Sequence, residues 1–574
     1  MSAAPAPFQL VGAAVERVGR TALEEWRASA LYRKMLRTQT PATLAVQPRA
    51  LRQGDAARGQ EILDGTIRLA AQTLELEPDE TPWGRPSPSR RFARRLHQFV
   101  WLRHLAAVGT PEAAYTARLL WDGWVETFGD GNIFSWAPET AGPRLINWLA
   151  AAPLIFEDSD PVVRSARLAV LAGQAEHVAR SAGEADSGRP RLRARAAAAL
   201  AAVCLDWPAA RTQRLLAALG READQQILSD GGHVSRSPEA ALDTLLDLSI
   251  VEDALAQRGE EPPQQLAKVI ARLVPAIRFF QHGDGGLAAF NGGGEGDPAT
   301  IEAALARDEA QSRVFSAAPA SVFLRAEAGQ SLLIFDGGGC PPGEHTPEAH
   351  AGALSFEFSV GPQRLIVNCG WSANQPAGWR APVRATAAHS TLIVEETSSA
   401  RLPRGRLARR LLGGRFASGA QSLESRLRAE DQGRWMEAAH DGYRRAFGLV
   451  HRRRLYLASD GQDLRGEDLL FRPSGSKDPQ PEGGVSFALR FHLYPGLRVS
   501  VSRDETSALI APPHGPGWRL RTDRGPLRLE RSAYLAAGAP PRRSEQLVIY
   551  GAAKAGAGPD DEANRIRWAL QRAE

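Results

Sequence analysis

A histidine and an asparagine stand at the two ends of one hairpin-like stretch, EAHAGALSFEFSVGPQRLIVNCG at 348–370, with His350 at its entrance and Asn368 at its exit. A further histidine, His389, follows in RATAAHSTLIVEE at 384–396. Neutral imidazoles serve equally as metal ligands, as proton-transfer groups near neutral pH and as hydrogen-bonded core residues. His350 shares strand parity with Leu354, Phe356 and Phe358, which places its ring on the apolar side of the sheet. No pair of carboxylates stands out as belonging to one site, which weakens a glycoside-hydrolase reading. The three cysteines, Cys204, Cys340 and Cys369, are too scattered for a disulfide framework or a thiolate metal site.

The elements that must position these residues fall into two regimes. Up to about residue 275 the apolar period is helical. YTARLLWDGWVETF sets Tyr115, Leu119, Trp124 and Phe128 at near-helical spacing, and SPEAALDTLLDLSIVEDALAQRG opens on a Ser-Pro start and closes at glycine. From about 310 onward the period is two: LSFEFS, RLIVN, STLIVEE, RRLYLAS, FALRFHLYP and EQLVIYG are separated by Gly, Pro and Asp turns. The pattern predicts an α+β multidomain chain: helical hairpins over 1–280, a glycine-rich segment over 281–310, and a large antiparallel β-sandwich over 311–574.

At 574 residues, 43% hydrophobic and 24% charged, the chain has the composition of a globular protein of more than one domain. The net charge of +5 comes almost wholly from arginine without a clustered basic footprint, so nucleic acid is not an expected partner. No stretch is long and apolar enough for a membrane span, and the N-terminus lacks the uninterrupted apolar run of a signal peptide, which points to the cytoplasm.

The segments SWAPETAGPRLINWL (135–149), ILSDGGHVSRSPEAALDTLLDL (227–248), HGDGGLAAFNGG (282–293), the 348–370 hairpin with RATAAHSTLIVEE, and HDGYRRAFGLVHRRRL (440–455) together resemble the heparinase II/III family. The resemblance implies an incomplete (α/α) toroid followed by a β-sandwich, and cleavage of an acidic, uronate-containing polysaccharide by β-elimination between them. It also leaves open a catalytically reduced relative that binds an anionic glycan or assists envelope polysaccharide handling. For such relatives, periplasm or cell envelope is the alternative location.

Beta-elimination needs a group on the uronate carboxylate, a base and an acid, each positioned proton transfer being worth roughly 10²–10⁴-fold. By resemblance, His233, His350 and Tyr443 are the catalytic candidates, and Asn147, Arg236 and Asn291 the substrate-binding ones. His350, Asn368 and His389 stand at the family's metal positions, for which zinc is the expected ion. Two departures bear on this. Phe279 and Phe280 occupy the place where catalytic members supply a toroid tyrosine, and Glu348, Gly352 and Asn368 replace metal-site residues. Two basic stretches, 189–200 and 404–415, could face an acidic polymer or simply solvent.

Overall fold

In the computed structural model, the described residues are 19–573, except 20–22, 24, 28, 37, 50, 78–79, 158–159, 307–313, 404 and 539. The N-terminal stretch considered for a leader therefore lies mostly outside them.

The N-terminal half is an incomplete (α/α) toroid. Its long helices are Pro111–Phe128, Pro138–Ala150, Pro161–Ser181, Arg189–Cys204, Ala209–Gln226, Pro238–Gln257 and Gln264–Phe280. Five of the seven helix starts have a local cause. Proline sits in the first turn of these five, where its missing N–H costs nothing, and the side chains of Thr110, Asp160 and Ser237 cap their helices. Arg189–Cys204 is the central helix: all its residues from Ala196 to Cys204 are buried, and alanines let its neighbours approach closely.

Two details differ from the sequence reading. A two-stranded hairpin, Thr66–Leu69 with Gln72–Glu75, interrupts the helical half. Its turn residues Ala70 and Ala71 lie at φ 52° and 60°, a primed turn made without the usual glycine or asparagine. The buried face of Pro111–Phe128 runs through Ala113, Ala117, Leu120, Trp121 and Trp124, whereas Tyr115 is 60% exposed.

The C-terminal half is an antiparallel sandwich of a nine-stranded and an eight-stranded sheet. Leu333, Phe335, Phe356 and Phe358 from the first sheet pack with Leu455, Leu457, Trp518 and Trp568 from the second. Alternate residues of the nine-stranded sheet face the other way. There Phe323, Leu332 and Ile334 join the toroid core, which also includes Phe279 and Phe280. Phe280 meets Phe323 edge to face with centroids 4.9 Å apart, and Phe279 stacks on Phe315 at 5.0 Å. The two phenylalanines that stand in the expected tyrosine's place are thus packing residues of the junction. No helix among the described residues is long and apolar enough to cross a membrane.

Candidate functional site

The residues singled out in the sequence, together with a charged cluster that the structure adds, separate into three groups in space. The first is the histidine pair. His350 Nδ1 lies 3.1 Å from His389 Nε2, and His389 Nδ1 lies 2.9 Å from the Ala385 carbonyl. A carbonyl only accepts, so His389 carries its proton on Nδ1, and His350 then donates from Nδ1 to the bare Nε2 of His389. Burial holds both rings neutral, with His389 pushed down to about 4 and His350 further lowered by His389 and Arg384. Gly352 backs onto this pair: a Cβ there would stand 2.7 Å from the His389 ring. His350 also lines a small pocket of about 10 Å³ with Asn291, Asp336 and Cys340, room for about one water molecule.

Asn368 does not join the pair. Its side-chain oxygen accepts from Ser390 N–H at 3.0 Å, and its amide donates to Glu357 at 3.3 Å. No group of three or more His, Cys, Asp or Glu among the described residues is placed to hold a metal ion. Two imidazoles, one of them spent on the other, do not make the zinc ligand set expected at these positions.

The second group joins the domains. His233 accepts at Nδ1 from Ser235 N–H at 3.0 Å and, through Nε2, faces Gln226 Oε1 at 3.1 Å, so both ring nitrogens are used. Burial pushes its pKa down to about 3. Arg236, at φ 61°, donates to the Ser321 carbonyl at 2.9 Å, pairs with buried Asp336 and lies over the Phe323 ring. Asn291, at φ 48°, donates to the Arg236 carbonyl at 3.3 Å. These residues form a clamp between toroid and sandwich, with Arg236 committed to protein partners and not to a carboxylate ligand. Tyr443 is fully buried, its hydroxyl donating to the Leu392 carbonyl at 2.7 Å, and burial raises its pKa further from the range of a useful base. Asn147 bridges helices through a 2.8 Å bond to the Gln98 carbonyl.

Glu357 was not singled out in the sequence, although LSFEFS placed it opposite Phe356 and Phe358. It is wholly buried and accepts from Ala289 and Asn368 N–H, both at 3.1 Å, with His282 Nε2 at 3.1 Å. Arg364 grips Asp284 with two bonds of 2.7 and 2.9 Å and also donates to the Leu287 carbonyl. These bonds fasten the glycine-rich segment to the sheet.

The third group is a charged cluster on the toroid side of the junction. Its residues come four apart on three helices: Arg91 and Arg95 on Arg90–His97, Arg189 and Arg193 on Arg189–Cys204, and Asp243 and Asp247 on Pro238–Gln257. That spacing puts each pair on one helix face. Asp247 is held by Arg52 and Arg193, both at 2.7 Å, and Asp243 by Arg52 at 3.1 Å and by Arg189. From the sandwich, Glu348 reaches Arg189 at 3.4 Å and Arg380 at 3.8 Å, while Arg91 donates to the Gln375 carbonyl at 2.8 Å. Glu348 thus acts as an ion-pair bridge across the junction.

Arg95 and Arg103 have no hydrogen bond or ion pair among the described residues, and their Nε atoms are sealed from solvent. Burial and neighbouring arginines pull both down to about 10. Nearby Glu239 accepts from Gly294 N–H at 3.0 Å, and burial together with Asp243 pushes its carboxyl up to about 7. Arginines 52, 91, 95, 103, 189, 193 and 380 outnumber Glu239, Asp243, Asp247 and Glu348 by seven to four. An unpaired, partly desolvated guanidinium pair beside that excess suits an oxyanion.

Comparison with known proteins agrees with this architecture. Residues 310–569 match the family described as heparinase II/III-like, C-terminal. FtsZ-localized protein C of Caulobacter vibrioides (strain NA1000 / CB15N) is 38% identical over 557 residues, covering 96% of this chain and 94% of that protein. The chain belongs to the heparinase II/III family. Among solved structures, heparinase III superposes with a TM-score of 0.70 at 15% identity, over 96% of this chain and 89% of the other. The heparan sulfate lyase HepC of Pedobacter heparinus gives 0.58 at 15% identity, over 97% and 88%. At that identity the two structures share the fold.

Proposed function

We propose that this chain is a catalytically reduced member of its family that binds an anionic glycan at the toroid–sandwich junction and localises with FtsZ, as the name of its Caulobacter relative says of that protein. One observation carries the reading: the groups expected to move protons are spent on the protein, while two half-buried arginines on the toroid side of the junction, their Nε atoms sealed from solvent, lack a partner. Tyr443 donates to a carbonyl inside the core, His350 and His389 bond to each other, and His233 has both nitrogens engaged. Arg95 and Arg103 supply the positive charge that a uronate carboxylate or a sulfate would satisfy.

The test is to incubate the protein with a panel of uronate polymers, following ultraviolet absorbance of unsaturated product and, separately, binding heat. The expected result is a flat absorbance trace and measurable binding, weakened at least tenfold in Arg95→Ala/Arg103→Ala. Rising absorbance would show that lyase chemistry is retained, and absence of binding to every polymer would remove the glycan from the proposal. A retained lyase has one feature in its favour, the Glu239 carboxyl, which burial and neighbouring Asp243 push up to about 7. In that case Glu239→Gln abolishes the absorbance signal.

A further inference from the structure

The eight-stranded sheet ends on the strand Ser422–Glu430, which pairs with Gly433–His440 and has no strand on its other side among the described residues. At nine residues it is long for an open edge, since edge strands are commonly short or covered. The loop around Gly337–Cys340 covers only its start, where Ser422 donates to the Gly337 carbonyl at 3.0 Å.

Two rows of side chains run across the outer face of this sheet, in register from strand to strand. One row reads Arg426, Glu437, Arg454, Glu467, Arg567, strictly alternating in charge. Glu467 reaches Arg454 at 3.6 Å and Arg567 at 3.7 Å, so the row neutralises itself inward from the edge. The next row reads Arg428, Trp435, Tyr456, Arg465, with the two rings 4.6 Å apart and Trp435 40% exposed. Both rows end on arginine at the open edge. No hydrogen bond or ion pair reaches Arg428 among the described residues, and the place beyond Arg426 is where the alternating row calls for a carboxylate. Between them Leu427, opposite Met436, turns to the inner face and packs against the sandwich core.

Glu424 and Glu430 bracket the two arginines on the same face. Glu424 lies 3.6 Å from Arg426, and Glu430 accepts from the Trp435 indole at 3.2 Å. A long acidic run laid along this edge would be repelled at both ends, whereas two carboxylates two residues apart would not. We infer that the free edge of Ser422–Glu430 docks an extended segment of another polypeptide with an acidic–apolar–acidic core. The segment adds as a further strand, its carboxylates opposite Arg426 and Arg428 and its apolar residue beside Leu427. Main-chain hydrogen bonds give the affinity and alternate side chains the register. This inference is independent of the anion cluster at the junction.

Fluorescence anisotropy of the full chain with a labelled nonapeptide, Glu-Leu-Asp at its centre and neutral β-branched residues on either side, tests it. The expected result is saturable binding, at least tenfold weaker in Arg426→Glu/Arg428→Glu with an unchanged melting temperature. That variant should instead bind the peptide with lysines in place of the two acids. N-methylating one alternate set of peptide nitrogens should abolish binding, and methylating the other set should not. The inference is overturned if the parent peptide does not bind, if oligoglutamate binds as tightly, if both methylated sets bind, or if the double variant binds unchanged.

Discussion

Gly352 shows how one position fixes what His350 and His389 can be. The family resemblance would put an aspartate there, yet a side chain at 352 would enter the His389 ring at 2.7 Å. Gly352→Asp is therefore expected to cost about 1–3 kcal/mol through overpacking, and zinc should not raise its melting temperature. A zinc-dependent rise in that variant would contradict the pair's assignment as hydrogen-bonded core. Glu239 provides a second residue-scale test. Its carboxyl is protonated below about 7, which removes a negative charge facing Arg189 and Asp243. Anion binding at the junction should tighten as pH falls through 7, and Glu239→Gln should flatten that dependence. At this scale the sequence was legible only in part. His350 is buried, yet not through strand parity: the strand begins at Phe356 and a turn with Leu354 at φ 59° stands between them, while Asn368 turns to Glu357 and Ser390, partners that no local pattern names.

Among the elements, the glycine-rich segment is held both by glycines that let backbones approach and by buried charges, Glu357 accepting from Ala289 and Arg364 gripping Asp284. Removing one partner of a buried ion pair costs about 3–5 kcal/mol, and Arg236 with Asp336 is such a pair. Arg236→Met should lower the melting temperature accordingly, whereas Arg428→Met on the open sheet edge should leave it nearly unchanged. Glu357→Gln should speed amide exchange across 283–295, read by mass spectrometry, because Ala289 and His282 lose their anionic acceptor. Helix starts and strand runs were readable because caps, prolines and apolar period are local signals. The Thr66–Glu75 hairpin was not, since its turn uses two alanines, and the buried face of Pro111–Phe128 runs through Trp121, which packs against Trp148, and leaves Tyr115 outside it. The Arg–Asp cluster left a trace as residues four apart, but only the toroid's closure shows that the three helices aim those pairs at one place.

Across the whole molecule, eleven of the twelve histidines have lowered pKa values, with His97, His104 and His389 at about 4 and His177, His233 and His492 at about 3. In each case burial is the first cause, so the fold holds a neutral ring while the unfolded chain takes up a proton below about 6.5. Stability therefore falls as pH drops below 6.5, and toward pH 4 by about 1.4 kcal/mol per pH unit for each of the six rings held at about 4 or about 3. Thermal melts at pH 7, 6, 5 and 4 should show a steepening loss, and a flat profile would contradict this burial. The central claim, that the lyase fold here binds an anion without cleaving, is tested most directly by calorimetric titration of an anionic uronate polymer, with product absorbance followed on the same sample. The account predicts saturable binding that weakens at least tenfold in Arg95→Ala/Arg103→Ala, with no rise in absorbance. Steady accumulation of unsaturated product, or binding indifferent to those two arginines, would contradict it.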